Sequence, residues 1–319
     1  MALYLTERDV EALLTMPEAV EALEAAFKRQ AEGQVVNQPR RRLFLPKGAY
    51  HTMVAADLGL GTFAIKAYAS FRPKTRFLVL LYSAENGDLL AMIEADRLGQ
   101  MRTGAATGVA TRHLARSGAP LRVGIYGTGW QAQSQLEAVC AACTVERIVA
   151  YGRDETRRNA FCARMSEQLQ VAVTPAARPE AAAEGQEVVI TATTAREPVL
   201  QGAWLTAGTH INAVGSNLLM KREIDEEAVR RSAVIVVDSI EQAKREAGDL
   251  LPAFERGIFR WEQVLELSDL FGGRPGRTQE DQITLFKSNG VAMEDVAVAT
   301  RVYRKALEMG VGEARALWA

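Results

Sequence analysis

Leu121-Arg122-Val123-Gly124-Ile125-Tyr126-Gly127-Thr128-Gly129-Trp130-Gln131-Ala132 is the stretch on which the reading of the fold turns. A short apolar run ends at Tyr126, and Gly127, Gly129 and Ala132 follow in G-x-G-x-x-A spacing. The spacing predicts a strand, a tight turn and a helix. The first glycine permits the turn, and the second lets backbone approach a pyrophosphate. A small third residue lets helix and strand pack. The helix N-terminus then offers free N–H groups and a partial positive charge to phosphate. A glycine triplet is weak evidence alone, so the flanking sequence has to support it.

Downstream, apolar segments at 146–151, 171–174, 187–193, 209–214 and 233–238 join 121–126 as candidate strands. Helical stretches fall near 130–142, 154–169, 177–184 and 223–231. Apolar strands separated by helices predict a doubly wound parallel sheet. Residues 239–290 are mixed, and GGRPGRT at 272–278 reads as a loop. TLFKSNG then leads into a last helix over 293–309.

Upstream, the rhythm differs. Thr6 and Thr15 read as caps of two N-terminal helices. Residues 34–94 read as a β-meander, with Asn86-Gly87 as a hairpin signal. RTGAATGVATRHLARSG, from Arg102, is helical and lined with small residues, which allow close approach to another backbone. Gly118 and Pro120 mark a linker. The chain thus reads as α/β: a Rossmann doubly wound sheet inserted in a smaller α+β domain.

Composition excludes several classes. The 319 residues carry a net charge of −1, with 48% hydrophobic and 24% charged residues. There is no field for nucleic acid or an anionic membrane. No run approaches the roughly 18 apolar residues of a membrane span, and MALYLTERDVEALL lacks a signal-peptide pattern. Cys140 and Cys143 form C-x-x-C inside a predicted helix, with no partner pair for a metal, and read with Cys162 as structural thiols. Three scattered histidines form no cluster. The expectation is no metal and a reducing, cytoplasmic setting.

The second strand of a dinucleotide fold reads the adenosine ribose. An acidic tip about 20 residues on favours NAD. Here Tyr151 is followed by Gly152, Arg153 and Asp154. Arg153, with Arg157 or Arg158, can pair a 2′-phosphate, so NADPH is favoured over NADH. The plainer reading is a solvated first helical turn capped by Asp154.

With these segments in view, the chain resembles the ornithine cyclodeaminase/mu-crystallin family. The resemblance spans QPRRR, MVAA before the Lys66 strand, FLVLLYSAENGDLLA, RTGAATGVATRHLA, YGTGWQAQSQLEA, THINAVGSN and TLFKSNGVAMEDVA. It implies a substrate-binding and dimerisation domain over 1–117, an NAD(P)-binding domain over 118–291, and a helix over 292–319 returning to the first. It also implies a homodimer and a small imino- or amino-acid substrate. The shared chemistry is hydride transfer between a nicotinamide and the carbon of a C–N bond.

Site residues follow from pattern and resemblance together. Lys66 interrupts an apolar strand, Phe63 to Tyr68. A buried lysine is costly unless paired or functional, and desolvation lowers its pKa. It matches the family's catalytic lysine; the plainer reading is a snorkelling strand-end lysine. Arg41 and Arg102 match the substrate-binding arginines, whose planar forks suit a carboxylate. Strand alternation puts Arg41 on one face with Leu43, and Arg40 and Arg42 on the other; the triplet also suits a charged edge strand. Pattern and resemblance together assign Thr103, Gly127, Thr128, Gly129, Trp130, Gln131, Arg153, Thr191, Ala192, Thr193, Val214, Lys221 and Ser288 to the cofactor. His51, Tyr68, Phe71 and Arg72 are weaker candidates for shaping the pocket.

One departure bears on the reaction. After Val214-Gly215-Ser216 the family's cyclodeaminases and alanine dehydrogenases carry an Asp; here it is Asn217. Asn orients a substrate by hydrogen bonds but does not take up a proton as a carboxylate does. The sequence therefore points to NAD(P)H-dependent reduction of a small, preferably cyclic, α-imino acid, with Lys66 and Asn217 in catalytic positions. The alternatives are an ornithine cyclodeaminase or alanine-type dehydrogenase, and a non-catalytic NADPH- and ligand-binding protein of mu-crystallin type.

Overall fold

Thr6 and Thr15 start the first two helices by reciprocal capping. A short strand, β1 (Ala2–Leu5), precedes α1 (Glu7–Leu13). The Thr6 N–H and hydroxyl donate to Asp9, and the Asp9 N–H donates back to the Thr6 hydroxyl. The Thr15 N–H and hydroxyl donate to Glu18 at the start of α2 (Met16–Ala31). These bonds satisfy amides that no helical carbonyl reaches. The structure is a computed structural model and describes residues 1–71 and 74–317.

Five strands follow: β2 (Val35–Leu45), β3 (Gly48–Asp57), β4 (Thr62–Phe71), β5 (Lys74–Ser83) and β6 (Leu89–Glu94). Each pairs antiparallel with the next, as the meander reading expects. The helix α3 (Asp96–Leu114) then begins. Its first amides, on Asp96 and Arg97, donate to the Glu7 carboxylate at 2.6 and 2.9 Å.

The alternating part comprises β7 (Leu121–Tyr126), α4 (Trp130–Ala142), β8 (Val145–Tyr151), α5 (Glu155–Leu169), β9 (Ala172–Pro175), β10 (Val188–Thr191) and β11 (His210–Ala213). After it come α6 (Glu226–Arg231), β12 (Ser232–Val237), α7 (Ile240–Glu246), α8 (Leu251–Glu255), β13 (Leu265–Glu266), α9 (Leu267–Phe271) and β14 (Ile283–Lys287). The chain closes with α10 (Ala292–Met309) and β15 (Glu313–Arg315).

Contacts group the chain into two units. One is Met1–Thr103 with Gly290–Ala319, and the other is Gly104–Asn289. The division falls inside α3, whereas the sequence reading set its boundary at 117/118, in the linker after the helix. The reason is local to the second unit. A Cβ on Gly104 would lie 2.3 Å from the Ser134 carbonyl of α4, so the small-residue stretch of α3 packs directly on that helix.

In the first unit the sheet order is β15-β1-β6-β5-β4-β3-β2. The helix α10 lies against β2 to β5 and against α2. Val296, Ala299, Val302 and Ala306 of α10 are buried, as are Val20, Leu23 and Phe27 of α2 and Met53, Ala64 and Val79 of the strands.

In the second unit the eight strands run β13-β12-β14-β11-β10-β7-β8-β9, all parallel. The fold is α/β with a doubly wound parallel sheet. Alternate strand residues enter two cores: Val123, Ile125, Ile148 and Ile190 on one face, and Val189, Ile211, Ile235 and Leu285 on the other. β7 has β8 on one side and β10 on the other. The direction of winding reverses there, which opens a crevice at the strands' C-terminal ends. β14 lies inside the sheet between β11 and β12, a position the mixed pattern of 239–290 does not reveal.

Candidate active site

The first unit buries a cluster of four charges. Lys66 and Arg102 are 2% and 7% exposed, and Glu294 and Asp295 are fully or nearly fully buried. The Lys66 Nζ donates to Asp295 Oδ1 at 2.8 Å. Arg102 Nε donates to the same oxygen at 3.2 Å, and its Nη1 to Glu294 Oε2 at 2.7 Å. The Phe77 ring centroid lies 5.0 Å from the lysine nitrogen. Strand β4 carries Lys66 inward, α3 carries Arg102, and the first turn of α10 supplies both acids. Unpaired N–H groups favour acids at a helix start.

The electrostatics follow from burial. Desolvation pushes the Lys66 ammonium down to about 8; Asp295 opposes the shift, and the charges of Arg102 and Arg40 add to it. For Arg102, burial is outweighed by Asp295 and Glu294, which hold the guanidinium charged. Asp295 Oδ2 is buried with no hydrogen-bond partner among the described residues. The site thus pairs a lysine that exchanges its proton near neutral pH with a carboxylate oxygen ready for a ligand.

The arginine triplet needs a correction. Arg41 is exposed, and register places it across from Thr52 and Ala67. Lys66 is one residue from Ala67 and so faces the other side of the sheet. Arg40 is the triplet residue that is buried, 7% exposed, with its Nη2 donating to the Gly290 carbonyl at 2.8 Å. A register shift between Gln38 and Arg41 alters the alternation there. Arg42 pairs across to His51, which stacks on Tyr68 with centroids 4.3 Å apart. Burial, Arg42 and Arg40 push the His51 imidazole down to about 4, so it is neutral at neutral pH. Arg72 lies outside the described residues.

Sequence reading did not single out Arg40, Glu294 or Asp295, whose charges the fold gathers around Lys66 and Arg102. Acids in a first helical turn are ordinary caps by pattern. Only the inward orientation of that turn reveals their partners.

The second unit presents a dinucleotide cradle. Gly127 has φ +108°, and a Cβ there would sit 2.3 Å from the Ala192 carbonyl. No residue but glycine fits this turn. At Gly129 a Cβ would meet nothing within 4 Å, and Gly129 caps α4 without any side-chain bond. Gly129 is the N-cap of this thirteen-residue helix, and the space beside its α-carbon is open. Those features fit a pyrophosphate. Thr128 contacts the position of Gly152 at the end of β8, and Trp130 is 53% exposed. Gln131 Oε1 is buried without a hydrogen-bond partner among the described residues. Arg153 is exposed at the tip of β8. Arg157 pairs with Asp154 at 3.7 Å, and Arg158 turns back to the Gly152 carbonyl at 2.7 Å.

The ends of β10, β11 and β14 hold the remaining assigned residues. Ala192 is buried, Thr193 and Val214 are half-buried, and Val214 N–H donates to the Thr191 carbonyl. Ser288 donates to Asp238 at 3.3 Å. Asn217 and Lys221 lie half-buried on the loop after β11. Thr103 donates to the Gly99 carbonyl and belongs to the first unit. The structure also places Glu223, Asp249 and Lys287 together here, all buried, and sequence reading singled out none of them. Among the described residues no group of three or more His, Cys, Asp or Glu is arranged to hold a metal ion. Nor is any described helix long and apolar enough to cross a membrane.

Comparison with known proteins matches residues 2–310 to the ornithine cyclodeaminase/mu-crystallin family. The chain belongs to that family. Within it, an alanine dehydrogenase of Archaeoglobus fulgidus is 34% identical over 317 residues, covering 97% of each chain. A Δ1-pyrroline-2-carboxylate reductase of Bacillus cereus is 37% identical over 238 residues, 74% of this chain and 73% of that protein. The solved structure of Thermococcus litoralis Δ1-pyrroline-2-carboxylate reductase, in complex with NADH and L-proline, superposes with a TM-score of 0.93. It has 35% identity and covers 98% of this chain and 100% of that one.

Proposed function

We propose that the chain is an NAD(P)H-dependent oxidoreductase that reduces the C=N bond of a small, preferably cyclic, α-imino acid. The observation that carries the reading is the buried Lys66–Asp295–Arg102 cluster, whose lysine titrates near neutral pH. A pyrroline-2-carboxylate reductase similar over 98% of the chain supports it.

The nicotinamide cofactor, when bound, supplies the hydride. Gly127, Thr128, Gly129 and the first turn of α4 would hold its diphosphate; Thr191, Ala192, Thr193 and Val214 would hold the nicotinamide half. Arg153 at the tip of β8 favours the 2′-phosphate of NADPH. Arg102 uses two of its N–H groups on Glu294 and Asp295, which leaves donors for a substrate carboxylate, and Arg40 adds a second guanidinium. Lys66 in its protonated form donates to the imine nitrogen or holds its proton in place. Asp295 orients Lys66 and takes part in returning the proton.

Asn217 argues against cyclodeamination, where loss of ammonia calls for a carboxylate at that place. Alanine dehydrogenation remains a second reading, favoured by the 34% identity over nearly the whole chain. The same residues would then act on the imine of pyruvate and ammonia. The homodimer is part of the proposal: β2 is a sheet edge carrying exposed Val36, Leu43 and Phe44, and a second copy is the occupant that fits an apolar edge.

The test is oxidation of NADPH or NADH, followed at the reduced-nicotinamide absorbance. The substrates are pyrroline-2-carboxylate, piperideine-2-carboxylate, and pyruvate with ammonia. Turnover of a cyclic imine above pyruvate with ammonia supports the reading. Ammonia release from ornithine without imine turnover overturns it. Dinucleotide binding with no turnover of any amino or imino acid would favour the ligand-binding alternative.

A further inference from the structure

Three buried ionisable groups in the second unit are unused by the chemistry above. Glu223 is fully buried where the loop after β11 ends. Its Oε1 accepts the Thr193 N–H at 2.5 Å. Its Oε2 accepts the Gly215 N–H at 2.6 Å and the Thr191 hydroxyl at 3.0 Å. One side chain thereby ties the residues just beyond β10 to those just beyond β11. It also closes the loop that carries Asn217 and Lys221, since Gly215 and Glu223 are its two ends.

The cluster continues below. The Glu223 and Ile224 N–H groups donate to Asp249 Oδ1 at 2.6 and 3.3 Å. Lys287 Nζ lies 2.9 Å from Asp249 Oδ2 and donates to the carbonyls of Ser216 and Ala213 at 2.5 and 3.2 Å. All three side chains are shielded from water. Two acidic side chains face one ammonium, so the cluster carries one net negative charge when both acids are ionised. Three donors converge on Glu223, two of them rigid backbone amides, and such donors favour the ionised form. Burial and the nearby Asp249 charge act in the opposite sense and raise its pKa.

We propose that Glu223 is a positioning residue that locks the ends of β10 and β11 into one seat, and that the net negative charge it shares with Asp249 favours the oxidised, cationic nicotinamide over the reduced, neutral one. This rests on the dinucleotide reading above. The oxidised ring carries a positive charge that the reduced ring lacks. A buried charge under those strand ends therefore acts on the difference between the two forms, and so on the tendency of the bound cofactor to give up hydride. Lys221, half-exposed on the loop above, is better screened than the buried cluster.

The experiment measures dissociation constants for both redox forms of whichever dinucleotide the wild-type chain binds. The reduced form is followed by its fluorescence and the oxidised form by displacement. Glu223→Gln is expected to raise the ratio of oxidised to reduced dissociation constants by roughly fivefold and to speed amide exchange at Thr193 and Gly215. Asp249→Asn removes the same unit of charge without touching the Glu223 carboxylate and is expected to move the ratio the same way; it carries the test if Glu223→Gln fails to fold. A ratio unchanged in the two charge variants overturns the proposal. A wild-type chain that binds neither dinucleotide sinks the underlying reading instead.

Discussion

Lys66 shows how one residue links burial to chemistry. An ordinary lysine holds its proton to about 10.5, and this one to about 8. As proton donor it is active in its protonated form, so kcat/KM for imine reduction is expected to be level below pH 8 and to fall above it. A profile without a break in that range would count against Lys66 as the donor. Lys66→Met is expected to lower kcat/KM by roughly 10²–10⁴. The same shift bears on stability. Between about 8 and 10.5 the unfolded chain keeps the proton and the folded chain loses it, so this group makes stability rise with pH across that window. Urea unfolding near the two ends of the window should show the rise in wild type and its absence in Lys66→Met. The arginine triplet supplies a second comparison. Arg40→Ala is expected to raise the substrate KM by about tenfold or more, while exposed Arg41→Ala leaves it unchanged; steady-state kinetics on the pair decide.

At the scale of elements, α3 and the turn after β7 depend on residues without bulk. A side chain at Gly104 would meet the backbone of α4 at Ser134, which has no room to yield. Gly104→Val is expected to destabilise the fold by roughly 1–3 kcal/mol, read as a lower urea midpoint with an unchanged slope. The elements themselves were largely legible. The strand at 121–126 and the helix at 130–142 fall where periodicity and the glycine spacing place them. β1, β14 and β15 were not legible. They are three to five residues long, too short to show a period, and their partners lie far away in sequence. β14 also enters the sheet out of chain order, which no local pattern encodes.

For the whole molecule, assembly is the open physical question that surface chemistry addresses. Leu43 and Phe44 are 60% and 76% exposed on the edge strand β2. An apolar edge of this kind invites pairing with a second copy. Light scattering is expected to give twice the chain mass for wild type, and a shift toward the single-chain mass for Phe44→Lys. A wild-type chain that is monomeric at micromolar concentration would remove the dimer from the proposal. A change of rhythm near residue 120 was visible in the sequence. The contact boundary at Thr103 and Gly104 was not, because a continuous helix carries no sequence mark where its packing partners change.

Glycine spacing, strand and helix periodicity and the resemblance of extended segments are local properties, and they were enough to identify the α/β class and the family and to single out Lys66 and Arg102 as candidates. Which groups those two residues meet is a matter of distant contacts. Lys66 and Asp295 are 229 positions apart, and Arg102 and Glu294 are 192 apart. The choice of Arg40 over Arg41 rests on a register shift between paired strands. The clamp at Glu223 depends on three donors brought in from β10 and the loops at its end and after β11. Burial is what turns these charges into chemistry, by removing the water that would otherwise screen them, and burial exists only once the chain has folded.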